Sequence, residues 1–304
     1  MTRFTPTFAA LTLALLAAAP ALAQTTPDYA KVEIRATQLA PDFWTLEGAG
    51  GTISVLTGAD GVLLVDSQFA PLTDKLAAAI RRISDKPIRF LVDTHVHPDH
   101  VGGNANFARL GATIFARDQL RWRLEHPAAS ADGTPGEPAA ASALPVVTYN
   151  ASLSIHVDNE DVRLLPVIAA HTDGDTVVSF PRHDILAVGD IYRSVGYPYA
   201  DLANGGSLAG MLEGLSEIAD RAGPATKIIP GHGPIVGRDA VLAQRDLILA
   251  LRAKVQQLIA QGKTLDEIIA AHPTADMDAR VPQGTPATRD RFVTWVYKEV
   301  VANQ

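Results

Sequence analysis

Between His95 and His100 the chain sets three imidazoles and a carboxylate within six residues, in the order His95-Val96-His97-Pro98-Asp99-His100. Histidine and aspartate at that density are ligands for a borderline divalent cation, and zinc suits the mixture. His171, Asp190 and His232 follow later, each just past an apolar run. One histidine at a strand end means little. Five of them, with Asp99 and Asp190 in equivalent positions, are hard to explain as packing, because a buried carboxylate needs compensation and a metal supplies it. The other four histidines show no such pattern. His126 and His272 precede prolines at helix ends, His156 is mid-strand and His183 is in a turn; these read as helix-end or surface residues.

Strands and turns must hold these groups in place. Residues 88–93 form an apolar run that reads as a buried strand, and Gly102-Gly103 turns the chain into a helix-like segment over 104–110. The polar cluster therefore sits on a loop at the end of a core strand, where rigid scaffolds present chemistry. Upstream, the pattern predicts an opening strand at 32–36 and strands at 43–46 and 52–57 around the glycine-rich turn 47–51. A third strand at 62–66 ends in Asp66, and a helix follows over 71–83. Downstream come a strand at 112–116, a helix at 117–126 and a long surface loop, rich in Ala, Pro, Gly and Ser, at 127–145. The second half predicts strands at 153–157, 162–168, 176–180, 185–189 and 227–229, with a helix at 208–221. From Asp239 onward the pattern is helical, with Thr264 and Glu267 forming a capping box and Phe292, Trp295, Val296 and Val300 a core-facing stripe. Each half runs strands then helix, which points to layered sheets with helices outside them.

The order His95-x-His97-x-Asp99-His100, then His171, then Asp190 after an apolar strand, then His232 in Pro230-Gly231-His232-Gly233, resembles the metallo-β-lactamase superfamily of hydrolases. The resemblance runs from about Phe43 to Pro234. It implies an α/β fold, an αββα sandwich, here with additional C-terminal helices from about residue 239. It also implies His95, His97 and His171 on a first zinc and Asp99, His100 and His232 on a second. Asp190 would sit on the second and bridge both, giving two Zn2+ per chain. Two histidines two residues apart can hold one ion, and a third leaves the fourth zinc position open for water. Two metals about 3.5–4 Å apart clamp a shared hydroxide and lower its pKa towards about 7. Asp99 then orients the nucleophile, which makes it the catalytic residue as well as a ligand. Asp66, Thr172 and Asp175 are candidate partners for the imidazole N–H groups, or else local turns and caps.

Substrate contacts follow from the same resemblance. Arg193, three residues after Asp190, resembles the cationic residue of first-subclass lactamases. Asn204, in an Asn-Gly-Gly-Ser loop, resembles their carbonyl-contacting asparagine. Phe69 resembles their pocket aromatic, and the 47–51 hairpin their flap, with Trp44 as a further contact on that hairpin. The plainer readings are a solvated charge, a turn residue and core packing. Two features depart from that subclass: Asp190 stands where it has cysteine, and His100 where it has no histidine. The full seven-ligand set is more like glyoxalase II and the lactonases.

Composition narrows the setting. The 304 residues are 47% hydrophobic and 19% charged, enough for a sizeable core. A net charge of −7 argues against nucleic acid as partner. The absence of cysteine excludes disulfides, thiolate ligands and a thiol nucleophile. Arg3, the apolar run 8–19 and Ala21-Leu22-Ala23 read as a cleaved signal peptide over 1–23, leaving a mature 24–304 domain that is periplasmic or secreted. No later stretch is apolar enough to span a bilayer, so no membrane association is expected after cleavage. The expected activity is an exported dinuclear zinc hydrolase using a metal-bound hydroxide on the carbonyl of a small-molecule substrate, with β-lactam opening leading. The alternatives are a lactonase or thioester hydrolase and, from another class, a mono-iron oxidoreductase resembling persulfide dioxygenases.

Overall fold

Along residues 62–65, buried side chains alternate between two apolar clusters: Val62 and Leu64 join one, Leu63 and Val65 the other. A strand buried on both faces belongs to a sheet covered on both sides. A computed structural model describes residues 27–129 and 133–303; the expected signal peptide lies outside the described residues. Among these residues, one sheet holds β1 (Arg35–Ala40), β2 (Phe43–Glu47), β3 (Ile53–Gly58), β4 (Gly61–Val65), β5 (Ile88–Val92), β6 (Thr113–Arg117) and β7 (Val147–Tyr149), in that order. Its first four strands pair antiparallel and β4 to β7 pair parallel. The second sheet holds β8 (Leu153–Val157), β9 (Glu160–Pro166), β10 (Thr176–Phe180), β11 (Ile185–Ala187) and β12 (Lys227–Ile229), in the order β12-β11-β10-β9-β8.

The parallel pairings require crossovers, and helices supply them. Helix α1 (Thr73–Ile83) links β4 to β5, α2 (Pro98–Val101) and α3 (Asn104–Arg109) link β5 to β6, and α4 (Asp118–Glu125) links β6 to β7. Helix α5 (Leu208–Arg221) links β11 to β12, and α6 (Arg238–Ala260), α7 (Leu265–Ala270) and α8 (Pro286–Ala302) follow. Three apolar clusters then stack as layers. One lies between the first sheet and α1 and α3, one between the sheets, and one between the second sheet and α5 to α8. The Phe43 and Phe180 rings meet edge to face at 4.8 Å across the middle layer. This is the αββα sandwich the sequence implied, and the C-terminal helices are part of its outer layer. Among the described residues no helix is long and apolar enough to cross a membrane.

Some elements differ from expectation. The first strand lies at Arg35–Ala40 rather than 32–36, because Lys75 on α1 donates to the carbonyls of Tyr29, Ala30 and Val32 and holds that segment across the helix. Strand β7, three residues long, is too short to show a period. The 127–145 segment bonds back through the Ala139 amide to the Leu124 carbonyl and contains a short 3-10 turn at Ala141–Ala143. His183 is not a surface histidine: its side chain is 5% exposed, between Asp42 at 2.8 Å and Glu160 at 2.6 Å. It thus pins the two sheets together.

Candidate metal centre

Four strand ends and the loop after β9 converge at one edge of the sandwich. The chain leaves β5 through Asp93, whose amide donates to Phe115, and runs through Thr94 to His97. Pro98 at the first position of α2 then begins a helical turn carrying Asp99 and His100. The loop after β9 is fixed by Asp175, whose carboxylate accepts the His171 amide at 2.6 Å and both the amide and the hydroxyl of Thr172. Gly189, after β11, has a positive φ of 52°, and a Cβ there would lie 2.8 Å from Thr94 Oγ1; Asp190 follows in a 3-10 turn. His232 follows β12 in a turn whose Gly231 amide donates to Gly189.

All seven expected ligands come together. The donor atoms of His95, His97 and His171 lie within 4.8 Å of one another, as do those of His95, His100 and Asp190, and those of Asp99, His100 and His232. Asp190 stands between the groups: Oδ2 is 3.7 Å from His171 Nε2, while Oδ1 is 3.5 Å from His100 Nε2 and 3.4 Å from His232 Nε2. Asp99 Oδ2 lies 3.1 Å from His232 Nε2.

The outward nitrogens of the rings are spoken for. His171 Nδ1 is 2.8 Å from the Tyr199 carbonyl, which can only accept, so this nitrogen carries the proton and Nε2 presents a lone pair. His97 Nε2 is 2.8 Å from Asp201 Oδ2, which leaves His97 Nδ1 facing His171 Nε2 at 3.0 Å. His100 Nδ1 is 2.7 Å from Asp66 Oδ2, and its Nε2 faces His232 Nε2 at 3.4 Å. Facing ring nitrogens of this kind need a proton or a cation between them. The His100–His232 separation matches the edge of about 3.4 Å expected between two nitrogens on one tetrahedral zinc, and the His97–His171 pair is closer, at 3.0 Å. His95 Nε2 and Asp190 Oδ1 are buried without a hydrogen-bond partner, a costly state that a cation would relieve. The donor set therefore fits a metal, and these seven residues are the ones able to hold it.

Protonation divides the cluster. Burial, aided by the neighbouring imidazoles His100, His171 and His97, holds His95 well below the usual histidine range. Burial likewise pushes His171 down to about 4, although Asp190 pulls the other way. Both rings are thus neutral and ligand-ready at pH 7. Burial also opposes charge on His100, yet Asp66 and Asp190 outweigh it and raise its pKa well above the usual value. For Asp190, burial is outweighed by His232, His100 and His171, which hold the carboxylate ionised. For Asp99, burial is outweighed by His232 and His100, bringing it down to about 2.

The supporting residues partly differ from expectation. Asp66 does reach an imidazole, and it also accepts the Thr94 amide and hydroxyl, while Thr94 Oγ1 lies 3.0 Å from His95 Nδ1. Thr172 and Asp175 do not reach a ring; they shape the backbone of their own loop. The ring partners that sequence reasoning missed are Asp201, the Tyr199 carbonyl and the Thr94 hydroxyl. Arg193 lies beside the cluster, Nη1 3.5 Å from Asp190 Oδ2. Asn204 donates through Nδ2 to Asp201 Oδ2 at 2.8 Å, so it supports the partner of His97. Trp44 and Phe69 pack on the helix-side cluster of the first sheet, Phe69 with its ring 5.4 Å from Tyr29. Neither lines the cavity of about 530 Å³ that opens beside His97, Asp201 and Asn204. Val101, Leu124 and Ala140 give it an apolar wall beside the charged Arg123 and Glu137, so residues 127–129 and 137–143 border a cavity rather than forming a bare surface loop.

A family model described as the metallo-beta-lactamase superfamily matches residues 46–232. A linear primary-alkylsulfatase of Pseudomonas sp. (strain ATCC 19151) is 24% identical over 256 residues, 71% of this chain and 48% of that protein. A type 2 metallo-beta-lactamase of Bacillus cereus is 24% identical over 197 residues, 64% of this chain and 71% of that protein. Among solved structures, a stereoselective inverting sec-alkylsulfatase from Pseudomonas sp. superposes with a TM-score of 0.65 at 18% identity, over 88% of this chain and 50% of that one. The chain spans about half the length of the alkylsulfatases it matches.

Proposed function

The chain belongs to the metallo-beta-lactamase superfamily, and from that premise we propose that it is an exported dinuclear zinc hydrolase of a small anionic substrate, with β-lactam ring opening as its leading activity. The observation that carries the two-metal reading is Asp190, whose two oxygens face different imidazoles, Oδ2 towards His171 and Oδ1 towards His100 and His232. His95, His97 and His171 would hold the first ion and Asp99, His100 and His232 the second, with Asp190 between them. When bound, zinc lowers the pKa of water towards about 7 and polarises the substrate oxygen. Asp99, ionised at neutral pH and 27% exposed on its side chain, orients the attacking water. Arg193 holds the anionic group of the substrate beside Asp190, and the apolar cavity next to His97 seats the remainder. The N-terminal sequence supports export, which suits an enzyme that meets its substrate outside the cytoplasm.

A second reading is cleavage of an alkyl sulfate ester. The apolar cavity supports it, since it would take an alkyl chain, and so do the names of the alkylsulfatases that the chain resembles. Zinc-loaded protein assayed in parallel with a carbapenem, a linear alkyl sulfate, an acyl-homoserine lactone and an acyl-glutathione separates these readings. Turnover of the carbapenem above the other three is expected. Turnover of another substrate with none of the carbapenem refutes the lactamase reading, and turnover of none refutes the hydrolase reading for these bond classes.

A further inference from the structure

Two arginines near the ligand cluster have donors to spare. Arg193 uses Nη1 towards Asp190 at 3.5 Å, and its Nε is buried without a partner. Arg291, on α8, places its guanidinium carbon 4.3 Å over the Tyr199 ring and makes no hydrogen bond or ion pair among the described residues. Its neighbour Arg289 is the contrast, committed to Asp290 and His272. Tyr199 ties Arg291 to the site: its carbonyl accepts from His171 Nδ1, and its ring lies 6.1 Å from the His171 ring. Arg291 is therefore one aromatic ring away from a residue of the cluster. The helix that carries it is anchored by Phe292, Val293, Trp295 and Val296, all buried, while Arg291 itself reaches solvent.

Desolvation is the main effect lowering the Arg291 pKa; repulsion from Arg193 adds to it, and Tyr199, Asp190 and Asp201 oppose it. The two guanidiniums are thus close enough to feel each other. The nearby carboxylates are shared with other groups, Asp190 with three imidazoles besides Arg193, and Asp201 with His97 and Asn204. Arg193 keeps a buried Nε without a partner, and Arg291, stacked on Tyr199, has no carboxylate hydrogen-bonded to it among the described residues; two such guanidiniums beside the cluster suit an oxyanion, which their planar forks can hold with paired hydrogen bonds.

We propose that α8 belongs to the substrate site, with Arg291 and Arg193 forming a two-guanidinium receptor for an oxyanion, a carboxylate or a sulfate, carried by the substrate. The proposal rests on the hydrolase reading for its role in turnover, though not for its role in binding. It gives the C-terminal helices a task in specificity and explains why Arg291 is left without a partner on its own helix.

The test uses the zinc-loaded full chain with Arg291→Ala and Arg291→Lys. A neutral p-nitrophenyl ester and the same ester bearing a carboxylate are compared, with p-nitrophenyl sulfate as a third arm. Loss of a charge-assisted hydrogen bond predicts that Arg291→Ala lowers kcat/KM for the anionic substrate by about ten- to a hundredfold, mainly through KM. The fall is at least ten times larger than for the neutral ester, and Arg291→Lys recovers part of it. The arm with the larger Arg291 effect tells carboxylate from sulfate. Parallel losses on neutral and anionic esters would mean that Arg291 merely props Tyr199, and would overturn the proposal. If no ester is turned over, the hydrolase reading fails separately, and calorimetric binding of inorganic sulfate and of acetate to the zinc-loaded protein still decides. Weaker binding of either in Arg291→Ala upholds the receptor, and unchanged binding of both overturns it.

Discussion

Asp66 Oδ2 lies 2.7 Å from His100 Nδ1, and the other oxygen of the same carboxylate accepts the Thr94 amide at 2.7 Å. One acid at the end of β4 thus orients a ring of the cluster and the backbone leading to His95. Asp66 has a φ of 67°, a conformation that Asp and Asn tolerate, so Asp66→Asn keeps the backbone and removes the charge. The variant is expected to weaken binding of the second zinc by about ten- to a hundredfold while leaving the first site nearly intact. Competition with a chromophoric chelator reads both affinities. Two unchanged affinities would remove Asp66 from the account.

The hairpin after β2 approaches the cluster closely. A Cβ on Gly51 would lie 2.2 Å from His100 Cε1, and one on Gly231 would lie 2.0 Å from Asp190 Oδ1. These positions need glycine for space. Gly51→Ala is expected to displace His100 and lower occupancy at the second site, whereas Gly231→Ala moves Asp190 and affects both. Zinc content per folded chain distinguishes the two patterns; full occupancy in both variants would contradict the geometry.

Metal uptake carries a proton signature. His100 is raised well above 6.5, so its contribution to the stability of the metal-free protein is complete below 6.5 and is lost as pH rises through the higher folded value. As a ligand it must be neutral. His95 and His171 are already neutral, so they release nothing. Zinc binding near pH 7.5 is expected to release about one proton from His100 in addition to the one that the zinc-bound water loses, so that a variant without His100 releases about one fewer, measured by calorimetry in buffers of different ionisation enthalpy. The gain in melting temperature on adding zinc is expected to widen as pH rises above 6.5. A gain that shrinks over that range would contradict the assignment.

His97 depends on Asp201, and Asp201 on Asn204, through contacts of 2.8 Å each. Asp201→Asn is expected to weaken the first zinc by about ten- to a hundredfold. Asn204→Ala is expected to act in the same direction with a smaller effect and little change in KM. A rise in KM at unchanged zinc affinity would instead mean that Asn204 meets the substrate directly.

The ligand set was legible because its seven members are histidines or aspartates placed directly after apolar runs or within one short loop, and Asp66 was legible as an acid ending a strand. What lay outside the sequence signal depends on contacts distant in the chain. Asp201 caps a 3-10 turn with Oδ1, so it reads as a local turn residue, yet its Oδ2 meets His97, 104 residues earlier. The Tyr199 carbonyl is backbone and carries no residue signature. Asp175 resembled a ring partner because it lies four residues from His171, but its carboxylate turns back to the amides of its own loop. Trp44 and Phe69 sit on the helix side because packing against α1 decides where they point. Arg291 becomes visible only when α8 packs against α6 and α7 and brings the guanidinium over Tyr199.

The proposed site holds two zinc ions that share Asp190. Elemental analysis of the purified, zinc-equilibrated full chain, alongside Asp190→Ala, tests it most directly. About two zinc per chain are expected in the wild type, with the second ion lost in the variant. A wild type that saturates at one metal, holds a single iron, or keeps both ions without Asp190 would contradict it.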